Sequence, residues 1–180
     1  MGELVLIIVI IVRTLVPFTI LRYPLAGALL AIAGDISDVM LFERFGSGPL
    51  TDDLYHNFDK IFDTYYLFFE FLVVHRWKET LARRIGKGLF LWRFIGFTLF
   101  ETIGIRWAFF AAPNIFENFY LAWTVLRKYF PKFLLGNRGI LALLAIVALP
   151  KLIQEYIMHF AYPDQTWNFL RDHFFWWLYR

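Results

Sequence analysis

Cysteine is absent from this chain of 180 residues, which excludes a disulfide framework, a thiolate zinc site, an iron–sulfur cluster and a cysteine nucleophile. Charge is scarce as well. Only 18% of residues are Asp, Glu, Lys or Arg, against about 25% in an average soluble domain. The net charge of +3 comes from 18 basic and 15 acidic residues, too small and scattered an excess to point to nucleic acid as a partner. What fills the space is apolar: 59% hydrophobic and 21% aromatic residues, with 22 Phe, 9 Tyr and 7 Trp, and a mean hydropathy of +0.55. A domain of this size would have apolar surface left over once its core was filled. Disorder, a collagen-like repeat and an ordinary soluble enzyme are therefore excluded, and the lipid bilayer becomes the expected partner.

A helix needs about 20 mainly apolar residues to cross the hydrocarbon core. Six such windows occur, at about Leu4 to Leu21, Pro24 to Phe42, Phe58 to Val74, Leu89 to Phe110, Ile115 to Phe130 and Ile140 to Phe160. The expected fold is all-α and polytopic: one transmembrane domain over 1–162 with six spans. Punctuation falls at the joints, as in Gly46-Ser47-Gly48-Pro49 and Gly136-Asn137-Arg138-Gly139. The first segment reads as mature structure, because Glu3 stands where a signal peptide wants basic residues and Arg13 interrupts its apolar run. Over 163–180, Trp167, Leu170, Phe174, Trp177 and Leu178 recur at helical spacing among charged residues. That pattern predicts a C-terminal amphipathic helix lying in the interface, or one packed on the protein's own spans.

Lys and Arg give an orientation. Arg76, Lys78, Arg83, Arg84 and Lys87 lie between windows three and four, and Arg127, Lys128, Lys132 and Arg138 between five and six, with Arg22 in the first short loop. All these loops share one side, the cytoplasmic one by this rule. The aspartate-rich loop between windows two and three is then expected on the non-cytoplasmic side.

Six of the eight aspartates fall between Asp35 and Asp63. Asp35 and Asp38 are three apart and Asp59 and Asp63 four apart, so each pair shares a helix face. On adjacent antiparallel helices the two pairs meet at one depth. Four carboxylates so close repel unless something cationic lies between them, and oxygen-only ligands suit Mg²⁺, Mn²⁺ or Ca²⁺. The alternative is that Asp52, Asp53 and Asp59 serve as loop and N-cap residues.

The segment from Gly34 to Asp63, with Asp35-x-x-Asp38 followed by Asp59-Lys60-Ile61-Phe62-Asp63, resembles the CDP-alcohol phosphatidyltransferase family. The resemblance implies a six-span membrane fold and a metal-dependent transferase of phospholipid metabolism acting on a lipid-linked substrate. It also implies Mg or Mn as cofactor, with Asp35, Asp38, Asp59 and Asp63 as metal ligands and Asp63 as the candidate catalytic base.

Charged residues inside the windows form a second set of candidates, since each costs roughly 2.5 to 3.5 kcal/mol at a helix centre on insertion scales. These are Arg13, Glu70, Arg93, Glu101, Arg106, Glu117 and Glu155. Arg13 can reach an acidic pocket between windows two and three. Glu117, just after Pro113-Asn114, suits the first turn of a helix. A polar path lined by Glu70, Glu101, Arg106 and Glu117 would make the protein a cation or proton conductor without enzymatic activity. A subunit of a larger membrane complex, or a homodimer, would use the aromatic faces for contact. His56, three residues before Asp59, is a further neighbour of the acidic cluster or an interfacial loop residue.

Overall fold

The computed structural model describes residues 2–46, 48, 49, 52–103, 111–133 and 135–156, and all their side chains except those of residues 52, 53, 55, 56 and 155. Among the described residues the structure is helical throughout, without a strand. The helices are α1 (Gly2–Leu15), α2 (Phe18–Arg22), α3 (Pro24–Phe45), α4 (Asp52–Val74), α5 (Thr80–Ile103), α6 (Ile115–Tyr129) and α7 (Asn137–Tyr156).

The described part of each of the six apolar windows falls on a helix, or, for the first, on the pair α1 and α2. The break between these two falls at Pro17, which has no N–H to continue the ladder. The chain turns there through Thr19 N–H to the Val16 carbonyl at 2.9 Å and Ile20 N–H to the Pro17 carbonyl at 3.1 Å. Among the described residues three segments are long and apolar enough to cross a membrane: Gly2–Arg22, Pro24–Phe45 and Asn137–Gln154. The other helices fall short for visible reasons. α4 carries Asp59, Lys60, Asp63 and Glu70, α5 carries Arg83, Arg84, Lys87, Arg93 and Glu101, and α6 has only 15 residues. The expected end of the fourth window, the end of the sixth and the whole C-terminal helix over 163–180 lie outside the described residues.

Burial is arranged as lipid would require. Leu4, Ile7, Ile8 and Ile11 on α1 are exposed, as are Ile146, Leu149, Leu152 and Ile153 on α7, an outward apolar surface that water would penalise. The interior of α4, α5 and α6 is aromatic. Phe71 stacks on Phe90 at 4.4 Å, Phe90 meets Phe116 edge-on at 5.4 Å, and Trp77 lies 5.7 Å from Trp123. Rings at these separations and angles add to the area they bury.

Small residues let α2 and α3 approach closely. A Cβ on Gly27 would lie 2.4 Å from the backbone nitrogen of Ile20 and 2.6 Å from its Cα, so only glycine fits there. Ala28 and Ala31 follow on α3, buried in the core beside it, the small-residue packing common between membrane helices. This fixes where α1 and α2 run over α3, and with it the place to which Arg13 reaches.

Candidate functional site: four aspartates around one guanidinium

Three helices build the site. α3 supplies Asp35 and Asp38, α4 supplies Asp59 and Asp63, and α1 supplies Arg13 one turn before the proline break. Tyr65 on α4 ties the same region of α1 in place, its Oη donating to the Thr14 carbonyl at 3.3 Å. The i, i+3 and i, i+4 spacings put each aspartate pair on one face of its helix, and the two faces meet over the arginine.

The guanidinium divides its donors between the two helices. Arg13 Nη1 donates to Asp38 Oδ2 and to Asp59 Oδ1, the latter at 2.8 Å. Arg13 Nη2 donates to Asp35 Oδ1 and to Asp63 Oδ1, the latter at 2.8 Å. Each terminal nitrogen thus links one carboxylate of α3 to one of α4, a fork that a lysine ammonium does not reproduce. Phe62 closes one side, its ring centroid 5.4 Å from Arg13 Cζ.

Burial differs sharply among the four acids. The side chain of Asp38 is 1% exposed and that of Arg13 4%, while Asp35, Asp59 and Asp63 are each about 30% exposed. The cluster therefore has a sealed floor at Asp38 and an open side at the other three. One carboxylate oxygen from each of Asp35, Asp38 and Asp59 lies within 4.8 Å of the others, close enough for oxygens that share one cation. The sequence argument required a cation between the carboxylates, and the described structure supplies Arg13. Four ionised acids would outnumber the one guanidinium that touches them all, in a place where desolvation is costly.

The intramembrane candidates separate into different environments. Glu70, two turns beyond Asp63 on α4, is fully buried, and neither carboxylate oxygen has a hydrogen-bond partner among the described residues. Glu117 stands in the first turn of α6, which Asn114 caps. Asn114 Oδ1 accepts from Glu117 N–H at 3.4 Å, Asn114 Nδ2 donates to Glu117 Oε2 at 2.7 Å, and Tyr66 Oη donates to Glu117 Oε1 at 3.1 Å. This is a capping arrangement at an N-terminus whose dipole favours an acid. Glu101 is exposed on α5 and takes no part in the aspartate cluster. Arg106 and the side chains of His56 and Glu155 lie outside the described residues. Arg93 turns to the Ala112 carbonyl at 2.9 Å, at the approach to α6.

Sequence reasoning passed over Tyr66 and Phe62. Tyr66 stands three residues after Asp63 on the same face of α4, which was the signal available for its place among the acids. Beside the cluster, Val12, Val16, Pro17, Ala31, Gly34, Phe62 and Tyr66 leave with Arg13 a void of about 10 Å³, room for at most about one water. No family model matches this chain, and neither a curated protein nor a solved structure matches it.

Proposed function

We propose that the protein is a six-span integral membrane protein whose aspartate cluster binds Mg²⁺ or Mn²⁺ and transfers a phosphoalcohol group between lipid-linked substrates. The observation that carries this reading is the convergence of Asp35, Asp38, Asp59 and Asp63 on one cationic centre. Single charge on Arg13 falls short of what four carboxylates call for, and hard oxygen donors on an open side suit a divalent ion. The metal, when bound, would supply charge neutralisation for a pyrophosphate and its leaving group. Asp38 anchors the floor, Asp35 and Asp59 offer oxygens from opposite helices, and Asp63 is open enough to take the proton of an acceptor hydroxyl. Val39 and Tyr55 stand where the transferase family carries glycine, so the likeness concerns the metal-binding half of the motif. The aspartate loop is placed on the non-cytoplasmic side by the basic loops, and the tail over 163–180 in the interface.

Manganese titration followed by electron paramagnetic resonance tests the reading. The purified chain should bind Mn²⁺ at submillimolar to millimolar concentration, and the double variant D35N/D59N should not. Absence of binding to the wild type at millimolar Mn²⁺ sinks the metal site. A second reading, a proton or cation conductor, is favoured by the buried Glu70, whose carboxylate oxygens have no hydrogen-bond partner among the described residues. Under it, the metal titration stays blank and proteoliposomes pass protons in a way that E70Q stops. Orientation is tested separately: in S47C, a thiol in a chain otherwise without cysteine should react with an impermeant maleimide from outside. Labelling from the cytoplasmic side alone reverses the assignment.

A further inference from the structure

At the other end of α3 and α4 from the loop joining them lies a cavity of about 730 Å³, within the range of small-molecule sites. It is distinct from the aspartate cluster. Along α3 its wall begins at Pro24, eleven residues before Asp35, and along α4 it is reached at Val73, ten residues after Asp63. At about 1.5 Å per helical residue each separation is about 15 Å.

The wall is strongly cationic. Arg22, Arg76, Lys78, Arg127 and Lys128 line it, and Glu79 is the one carboxylate among the lining residues. Glu79 is already engaged by Arg127 Nη2 at 2.9 Å, so it offsets one of the five cations and leaves four. These residues come from three separate connections: the α2–α3 joint, the α4–α5 joint and the end of α6. Bringing five cations together costs repulsion, and among the described lining residues Glu79 alone offsets it.

Hydrogen-bonding groups in the wall show the same imbalance. Nε1 of Trp123 and Nε of Arg127 are donors without acceptors among the described residues. Arg127 Cζ sits 4.5 Å from the Trp123 ring centroid, which holds the guanidinium at the cavity edge. Arg76 Nη1 donates to the Leu21 carbonyl at 2.8 Å, fixing a second guanidinium there. Indoles of Trp77 and Trp123 and the ring of Tyr23 complete an amphipathic wall, of the kind found at headgroup level.

We infer that this cavity binds a phosphate group, either the headgroup phosphate of an anionic lipid or a soluble phosphate. Arg127 is taken up by Glu79 and by the Phe133 carbonyl, which its Nη1 reaches at 3.2 Å, so the Arg76 guanidinium at the edge is the one that suits planar recognition of phosphate oxygens, while Arg22, Lys78 and Lys128 add positive charge. The aromatic wall would cover the apolar portion of a lipid ligand. This inference is independent of the metal site and of its chemistry.

The test uses the full chain in nanodiscs of phosphatidylcholine alone or with phosphatidylglycerol, reading lipid adducts retained in native mass spectrometry after release. Inorganic phosphate is titrated in a parallel thermal-unfolding arm. Double variant R76Q/K128Q removes two exposed cations of the cavity, and R84Q removes an exposed cation on the same side that does not line it. Phosphatidylglycerol retention by R76Q/K128Q should fall about ten- to thirtyfold, at roughly 1 kcal/mol per basic residue, with R84Q near wild type. That result assigns the lipid headgroup. Stabilisation of the wild type by inorganic phosphate, lost in R76Q/K128Q while lipid retention is unchanged, assigns a soluble phosphate. Wild-type behaviour of R76Q/K128Q in both arms overturns the inference, and so does an equal loss in R84Q, which would reduce the effect to general surface charge.

Discussion

Replacing Arg13 with Met should destabilise the protein by about 3–5 kcal/mol, the usual cost of removing one partner from a buried ion pair. In a chain of this length that corresponds to a fall of roughly 10 °C or more in Tm. The cost arises because the guanidinium is the hydrogen-bonding cation of all four acids at once. Without it, Asp38 at the sealed floor loses its guanidinium, with Asp35 beside it on α3 and Asp59 and Asp63 facing it from α4. Methionine keeps most of the side-chain volume, so the loss reports charge and hydrogen bonding and not a cavity. R13K supplies a second reading for a variant that folds poorly. An ammonium restores the charge but not the two-sided fork, and its stability should lie between wild type and R13M. The metal proposal adds a sharper expectation: millimolar Mg²⁺ or Mn²⁺ should restore part of the stability of R13M, because the emptied centre then has only oxygen donors. Thermal unfolding in detergent, with and without metal, decides it. An unchanged Tm in R13M would show that the cluster does not hold α1 to α3 and α4, and a destabilised R13M indifferent to metal would make the arginine its sole cation.

The aspartate cluster was legible because helical periodicity is local: two carboxylates three or four residues apart must share a face, and Asp35, Asp38, Asp59 and Asp63 satisfy this without tertiary information. Arg13 was legible as a charge within an apolar run, with an acidic pocket in reach. That it would divide its donors between both helices was not, because its direction depends on the break at Pro17 and on the close approach at Gly27, which only packing reveals. Glu117 could be read from Pro113-Asn114 as a first-turn acid, and its cap has that form. Glu70 was visible as a charge in an apolar window, but its complete burial with no hydrogen-bond partner among the described residues appears only in the packed fold. The basic cavity was the hardest to foresee. Arg22, Arg76 and Arg127 stand some fifty residues apart in the chain, and as loop charges they read as orientation signals; a shared wall appears only when three joints meet. Membrane character was legible from composition, whereas among the described residues the number of helices apolar enough to cross by themselves is three, because the charges of α4 and α5 lie on helices that the fold partly buries.

If the protein is the transferase proposed above, Asp63→Asn should lower the turnover of phosphoalcohol transfer by roughly a hundred- to ten-thousandfold, the usual contribution of a positioned general base. Transfer requires an alcohol oxygen to bond to phosphorus while the phosphorus–oxygen bond of the donor pyrophosphate breaks, and the hydroxyl proton must go to a nearby carboxylate. Exposure selects among the four candidates. Asp38 is sealed at 1% and cannot meet a substrate, whereas Asp63 is 30% exposed and lies on the open side of the cluster. Asparagine preserves the shape and the oxygen that accepts from Arg13 Nη2, so fold and metal affinity should change little while proton acceptance is lost. Asp38→Asn should act differently, lowering stability and Mn²⁺ affinity together, since it alters the floor on which the other three are arranged. The assay pairs a CDP-linked lipid donor with an alcohol acceptor in nanodiscs and measures release of the nucleoside monophosphate. A loss in kcat with Mn²⁺ binding intact places Asp63 as the base. Loss of Mn²⁺ binding together with activity makes it a ligand, and full activity in D63N removes it from the chemistry, leaving the open carboxylate of Asp59 as the group to receive the proton.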